Sequence, residues 1–361
     1  MLNSPESGIL IDLFFLFISN YFSLTNISNM RYYLTTLVII LIITLQSCDD
    51  SGIEPSKIPK GTITLRQKNF KHLEANVDGV YELWLRLDNG GILTNYSLGR
   101  FNINSNGEIT DTSGGPVQLK YQGDTNKLYQ SKLVFITVEP PGDYDPNPST
   151  SVLLSGETSI VFDSIYANLT ISGSEALGSV GQQLMTGVHT YYMLNTPTST
   201  TGNCTRGVWF CDTLSNSYFP AGLQMFGTGW VYEGWVKDKS NPQIPIYYST
   251  GRFTNPYDVD FDGAGICAGS LTPYSKPGQD WVLPNCPSDK PEITNLSSYN
   301  YEILITLEPS FEQASTTAYN TPFFVNLFKQ PVIFPQSGCK RRDYVLNQNG
   351  SLPAASIKIQ Y

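Results

Sequence analysis

One pattern occurs twice in this chain, and each time it consists of three short segments in the same order. The first copy reads Gly79-Val80-Tyr81-Glu82-Leu83-Trp84-Leu85-Arg86, then Gly99-Arg100-Phe101, then Ile136-Thr137-Val138-Glu139-Pro140. The second reads Trp230-Val231-Tyr232-Glu233-Gly234-Trp235-Val236-Lys237, then Gly251-Arg252-Phe253, then Ile305-Thr306-Leu307-Glu308-Pro309. Three motifs in one order point to a duplicated module, since chance rarely reproduces both content and sequence. Each segment has the period of a strand. In residues 81–86, Tyr81, Leu83 and Leu85 fall on one face, with Glu82, Trp84 and Arg86 on the other. Pro140 and Pro309 lack the N–H that a further ladder bond would need, so each ends its strand.

The rest of the chain fits that frame. Plentiful Gly and Pro suit short strands and tight turns, and 22 Tyr suit a pleated, half-buried surface. Further strands are expected near residues 62–66, 117–121, 133–138, 159–162, 168–172, 190–194, 208–211, 244–248 and 356–361. Turn signals lie at Asn106-Gly107 and Asn349-Gly350. Residues 174–184 alone carry a helical period. The expected fold class is all-β, with two tandem β-sandwich-like modules at 61–200 and 201–361. The boundary is expected in the Thr/Ser/Pro-rich stretch 196–202.

The amino end reads as an address. From Met30 the chain runs MRYYLTTLVIILIITLQSC to Cys48, with Arg31 before a short apolar stretch. That stretch has the length of a signal-peptide core and is short for a transmembrane helix. It ends in Leu45-Gln46-Ser47-Cys48, which resembles the lipobox of bacterial lipoproteins. The resemblance implies a signal peptide at 30–47, cleaved before Cys48, and diacylglycerol on the Cys48 thiol with acylation (typically palmitate) of the new amine. Two or more chains make a membrane anchor stable. Residues 1–29 do not fit this plan and are expected to be a non-native extension, with translation starting at Met30. Residues 48–60 are polar and contain Pro, as in a tether.

The repeated set itself is similar to the extracytoplasmic domain of anti-sigma-K type factors. The likeness lies in Tyr-Glu-x-Trp, then Gly-x-Phe and a polar turn, then Ile-Thr-x-Glu-Pro. It implies a β fold and an outside sensing or interaction role. The chain lacks the zinc-associated helical domain with which such factors hold a sigma factor, and a lipid-anchored chain would lie wholly outside the cytoplasm.

Candidate chemistry follows from residue type and spacing. The net charge of -9 disfavours nucleic acid as a partner. With no CxxC pair and two histidines, a zinc site is not expected. In an oxidising compartment Cys204 with Cys211, and Cys267 with Cys286, are the natural local disulfides; free buried thiols are the alternative. Asp258, Asp260 and Asp262, followed by Gly263, alternate oxygen ligands as calcium requires. The twelfth loop position is Gly269 rather than Glu, and copy one has Asn102, Asn104 and Asn106 at the matching place, so a hairpin turn competes with calcium.

Glu82, Glu139, Glu233 and Glu308 could serve glycoside hydrolysis if two faced each other in one cleft. The plainer reading pairs Glu82 with Arg100, and Glu233 with Arg252, across neighbouring strands. The aromatics Trp209, Phe210, Tyr218, Phe219, Trp230, Tyr232, Trp235, Tyr247 and Tyr248 suit a core and, in part, a binding patch. No Gly-x-Ser-x-Gly elbow or phosphate-binding glycine loop appears. The expected function is non-catalytic: a lipid-anchored binding protein of the bacterial cell envelope, on its periplasmic or surface face. Its partner would be an envelope protein or glycan. A glycan hydrolase acting through carboxylates and a calcium-stabilised adhesin are the alternatives.

Overall fold

The computed structural model describes residues 61–186, 190–195, 207–209, 223, 229–255, 258, 260, 277, 296, 300–310, 321–331, 341–344 and 352–360. The chain divides into two compact units, Met1–Lys57 and Ile58–Tyr361, and every described residue belongs to the second. The architecture is all-β. Strands β1 (Thr62–Lys68), β2 (Val80–Asp88), β3 (Leu93–Ile103), β4 (Ile109–Thr110), β5 (Ser131–Glu139), β6 (Val152–Glu157), β7 (Ser159–Val161) and β8 (Ser164–Thr170) fill the first half. There follow β9 (Thr190–Asn195), β10 (Gly207–Trp209), β11 (Trp230–Asp238), β12 (Ile246–Phe253), β13 (Tyr301–Pro309), β14 (Asn326–Pro331), β15 (Arg341–Tyr344) and β16 (Ala354–Gln360). A 3₁₀ turn at Thr125–Gln130 and helix α1 at Gly178–Thr186 are the helical elements among the described residues.

The described strands form three antiparallel sheets. The largest has nine strands in the order β1-β16-β8-β6-β5-β2-β3-β4, with β7 also on β8. The second runs β12-β11-β13-β14, and the third β10-β9-β15. The duplication is now a matter of topology: β3-β2-β5-β6 of the large sheet has the same order as β12-β11-β13-β14. The irregularities recur as well. Glu82 pairs Arg100 and Trp84 pairs Ser97, so β3 carries one extra residue. Glu233 pairs Arg252 and Trp235 pairs Ser249, the same bulge on β12. A second shift falls between Ile136 and Thr137 on β5, and between Ile305 and Thr306 on β13.

Burial follows the two-residue period. Tyr81, Leu83, Leu85 and Leu87 enter one large apolar cluster, joined by Phe101, Ile136 and Val138. The same cluster takes in Tyr232, Val236, Phe253, Ile303 and Ile305 of the second sheet. Tyr81 meets Phe324 edge-on at 6.3 Å between centroids, a geometry that aromatic pairs favour. On the opposite face, Trp84 stacks on Phe135 at 6.2 Å, with Leu133 and Val152 alongside. The central strands are therefore covered on both sides, which is why the Glu and Trp of the repeat are buried along with the Tyr and Leu.

Some expected elements differ. Residues 117–121 form no strand; Lys120 makes an isolated bridge to Thr62 and Pro116 one to Thr110. Pro116 cannot donate to a ladder, and Lys120 N–H is drawn to the Leu98 carbonyl at 2.8 Å. The unexpected strands include β6, β14 and β15. The last strand also departs from a tandem plan split near residue 200. β16 lies between β1 and β8 in the large sheet, pairing Ile359 with Ile63 and with Ile165. Its alternate residues Ala355, Ile357 and Ile359 are buried there, which requires the long-range pairing. No described helix is long and apolar enough to cross a membrane.

The start of β11 is fastened to the start of β6. Ser151 Oγ donates to the Gly229 carbonyl at 2.7 Å, and Trp230 Nε1 to the Val152 carbonyl at 3.0 Å. Gly229 has φ +84°, and a methyl there would overlap the Thr150 carbonyl. Gly229→Ala therefore meets both a left-handed backbone and a backbone clash. It should lower stability by about 2 kcal/mol or more. Urea unfolding checks this; a midpoint equal to wild type would show that the contact is not maintained.

Candidate functional site

The repeated polar residues converge in each sheet, and their bonds match pair for pair. In the first copy, register places Glu82 opposite Arg100, and Arg100 Nε donates to Glu82 Oε2 at 2.8 Å. The bulge brings Ser97 back to the same carboxylate, its Oγ donating to Glu82 Oε1 at 2.5 Å. In the second copy Arg252 Nε donates to Glu233 Oε2 at 2.9 Å, and Ser249 Oγ to Glu233 Oε1 at 2.5 Å. The bulge needs a residue at positive φ: Gly99 has φ +131° and Gly251 φ +105°. Glycine adopts that conformation without the Cβ penalty, which explains its place in both Gly-Arg-Phe motifs.

A second chain of bonds crosses from the Trp strand to its other neighbour. Trp84 Nε1 donates to Thr137 Oγ1 at 2.9 Å, and the Thr137 hydroxyl donates to Glu139 Oε1. Trp235 Nε1 donates to Thr306 Oγ1 at 2.8 Å, and the Thr306 hydroxyl donates to Glu308 Oε1. Each carboxylate also accepts a backbone N–H, from Ser149 at 3.1 Å in the first copy and Phe323 at 2.9 Å in the second. Each of those donors lies three residues before the residue paired with the relay threonine, Val152 and Asn326 respectively.

The copies differ in enclosure. The Arg100 side chain is 32% exposed and also grips Asp143 Oδ2 at 3.0 Å, whereas the Arg252 and Glu233 side chains are each 4% exposed. Burial raises the Glu139 carboxyl above its usual range, against the hydrogen bonds from Thr137 and Ser149 that lower it. Burial pushes Glu308 further, to about 8, with the nearby Glu233 charge adding to the rise and Arg252 opposing it. Among the described residues Glu308 Oε2 has no hydrogen-bond partner, as suits a carboxyl that is neutral near pH 7.

Chemically, this arrangement holds strands together. All four repeat carboxylates are buried and directed at groups of their own sheet. Tyr81 and Tyr232 are core residues, in ring contact with Phe101 at 5.3 Å and Phe253 at 5.2 Å. Sequence reasoning identified the Glu, Arg and Trp positions but not Ser97 and Ser249, nor the Thr137 and Thr306 relays. The signal was present: both bulges read Ser-x-Gly-Arg-Phe.

Open space lies beside these networks. A cleft of about 380 Å³ along β3 is lined by Asn95, Tyr96, Ser97, Gln118, Lys120 and Gln122. A second, of about 300 Å³, is lined by Lys237, Tyr247, Glu302, Phe324 and Asn326, with the relay residue Thr306 also on its wall. There Lys237 Nζ stands 3.8 Å from Glu302 and 5.5 Å from the centre of the Tyr247 ring.

Of the calcium candidates, Asp258 is exposed and Asp260 buried, while Asp262 lies outside the described residues. Among the described residues no three His, Cys, Asp or Glu side chains gather as a metal site would need. The matching stretch of copy one is a hairpin turn, in which Asn104 Oδ1 accepts from the Asn106 and Glu108 N–H groups. Asn102 is instead buried, bonding both backbone groups of Leu73. Cys48, Cys204, Cys211, Cys267 and Cys286 lie outside the described residues, as do Phe210, Tyr218 and Phe219. Comparison with known proteins gives no relative: no family model, no curated protein and no solved structure matches the chain.

Removing one partner of a fully enclosed ion pair strands the other charge. Glu233→Gln should therefore cost about 3 kcal/mol, more than Glu82→Gln, because Arg100 keeps Asp143 and water. Thermal melts of both variants test the order, and equal losses would contradict it. Glu308 gives a pH signature. Its folded-state pKa lies above the unfolded one, so its contribution to stability is full below the ordinary Glu value of 4.5 and is lost as pH rises toward about 8. Glu308→Gln should flatten stability against pH across that window, so that its melting temperature falls below wild type by more at pH 5 than at pH 8. In that variant Oε1 can keep both of its bonds.

Proposed function

We propose that this chain is a non-catalytic binding protein of the bacterial cell envelope, anchored by lipid on Cys48, whose ligand is an envelope glycan. The observation that carries the binding reading is the cleft beside Thr306. It combines an aromatic ring (Tyr247), a second aromatic (Phe324), a cation and carboxylate (Lys237, Glu302) and an amide (Asn326). Aromatic faces stack on the apolar faces of sugar rings, and charged and amide side chains bond their hydroxyls. The cleft volume lies at the small end of ordinary ligand sites. The carboxylates that a glycan hydrolase would need are bound to their own strands, which favours binding over hydrolysis. The likeness of the repeat to anti-sigma-K type extracytoplasmic domains agrees with an interaction role, without a part for gripping a sigma factor. The anchoring reading rests on the Leu45-Gln46-Ser47-Cys48 motif at the end of the apolar stretch.

Two measurements test the two halves. Metabolic labelling with a palmitate analogue should mark the chain and be lost in Cys48→Ala; a variant that still labels would overturn the anchor. Titration with soluble hexose and N-acetylhexosamine oligosaccharides should show saturable binding, weakened about tenfold by Tyr247→Ala. The absence of any saturable binding, or affinity indifferent to Tyr247→Ala, would overturn the glycan site.

A further inference from the structure

Six exposed large apolar side chains stand at one end of the nine-stranded sheet, and strand register puts them there. Leu87 pairs Ser131, so the β2–β3 turn lies beside the start of β5. Leu133 pairs Glu157, which brings the end of β6 to the same edge. β7 continues past it to the turn that leads into β8. Ser164 at the start of β8 pairs Gln360, and Gln360 pairs Thr62. This end therefore carries Ile92 and Leu93 from the β2–β3 turn and Tyr129 from the 3₁₀ turn before β5. Ile160, Val161 and Phe162 come from the β7–β8 hairpin. Phe162 is 95% exposed at φ +54°, a left-handed position that favours glycine. An aromatic at a turn tip with nearly all of its surface in solvent adds little to the apolar core.

The point where the amino-terminal segment enters the fold bears on what covers this face. Residues 48–60 join the fold at Gly61, at the same end of the sheet. The first residue of β1 is two strands from the β7–β8 turn, about 10 Å away at ordinary strand spacing. In a random-coil chain, 13 residues span about 20 Å root-mean-square. We propose that this end of the sheet docks on the bilayer that holds the Cys48 lipid, with Phe162 and its neighbours at the boundary of head groups and acyl chains. The inference rests on the lipid-anchor reading above.

The composition of the face fits a bilayer interface. Aromatic Phe162 and Tyr129 accompany aliphatic Ile92, Leu93, Ile160 and Val161, and aromatics favour that depth. Lys127 and Lys132 stand on the same end, Lys132 within 3.8 Å of Asp88, together with Glu157 and Asp163. With charges of both signs present, the attraction of this face to a bilayer lies in its apolar side chains. The patch need not bind tightly alone, because a tether makes docking an intramolecular step at high effective concentration.

The test uses the full chain in phosphatidylethanolamine–phosphatidylglycerol vesicles. An environment-sensitive fluorescent amino acid replaces Phe162 or, as a control, Tyr144. The control is 93% exposed in the β5–β6 loop at the opposite end of the sheet. Lipids brominated in their acyl chains should quench the probe at 162 about threefold or more as strongly as at 144. Ile160→Ser with Val161→Ser should remove the difference while circular dichroism stays that of wild type. Equal quenching at both positions, with palmitate label retained on Cys48, overturns the docking and leaves the anchor standing. Preferential quenching at 162 without palmitate label upholds the docking and overturns the anchor. Protection of the 162 probe from aqueous iodide without quenching by lipid means that a protein or a second copy covers the face, and overturns the proposal.

Discussion

A buried polar group has to find its bonds inside the protein, and in this fold that requirement fastens three strands at a time. Trp84 and Trp235 each bury an indole whose N–H must be satisfied, and each meets it with a threonine on the neighbouring strand. The threonine hydroxyl in turn donates a hydrogen bond to a carboxyl group two residues further on. On the other side of the Trp strand, Glu82 or Glu233 meets an arginine and a bulge serine. Removing one member leaves another unsatisfied, so the group acts as a unit. Strand register is fixed with it, since a slip of one residue would turn every one of these groups to the other face.

The two copies keep this unit and differ in how closely they enclose it. In the first, Arg100 reaches partly into water and holds Asp143 as well as Glu82. In the second, the pair of Glu233 and Arg252 is closed off, and Glu308 is pushed toward its neutral form. The sheets around them diverge too. The first copy extends through β8, β16 and β1, and the second ends at β14 among the described strands. A duplicated unit has thus been set in two surroundings, one of which is extended by β8, β16 and β1.

With its carboxylates and indoles directed inward, the repeat leaves recognition to surfaces at its margins. The cleft over Tyr247 and the apolar end of the large sheet are the two surfaces on which the proposed roles rest. They differ in kind. One is concave, with aromatic and charged groups close together; the other is a row of turn tips spread across several strands.

The repeat was legible because its period of two and its paired proline stops are local properties of sequence. From it followed the strands, the alternation of Tyr81, Leu83 and Leu85, and the candidate pairing of Glu82 with Arg100 and Glu233 with Arg252. The serine contacts and the Trp–Thr–Glu relays were not read, because they depend on a bulge and on which strands become neighbours. β16 was legible as a strand but not as the neighbour of β1 and β8, since nothing near Ala354 encodes what lies on either side of it. Sequence alone determined an all-β chain built on a duplicated motif. Tertiary structure decided that both faces of the repeat are covered, that its acids hold strands rather than open a site, and that six apolar side chains share one end. Local patterning sets the period of a strand, whereas burial and proximity arise only when strands distant in the chain are brought together.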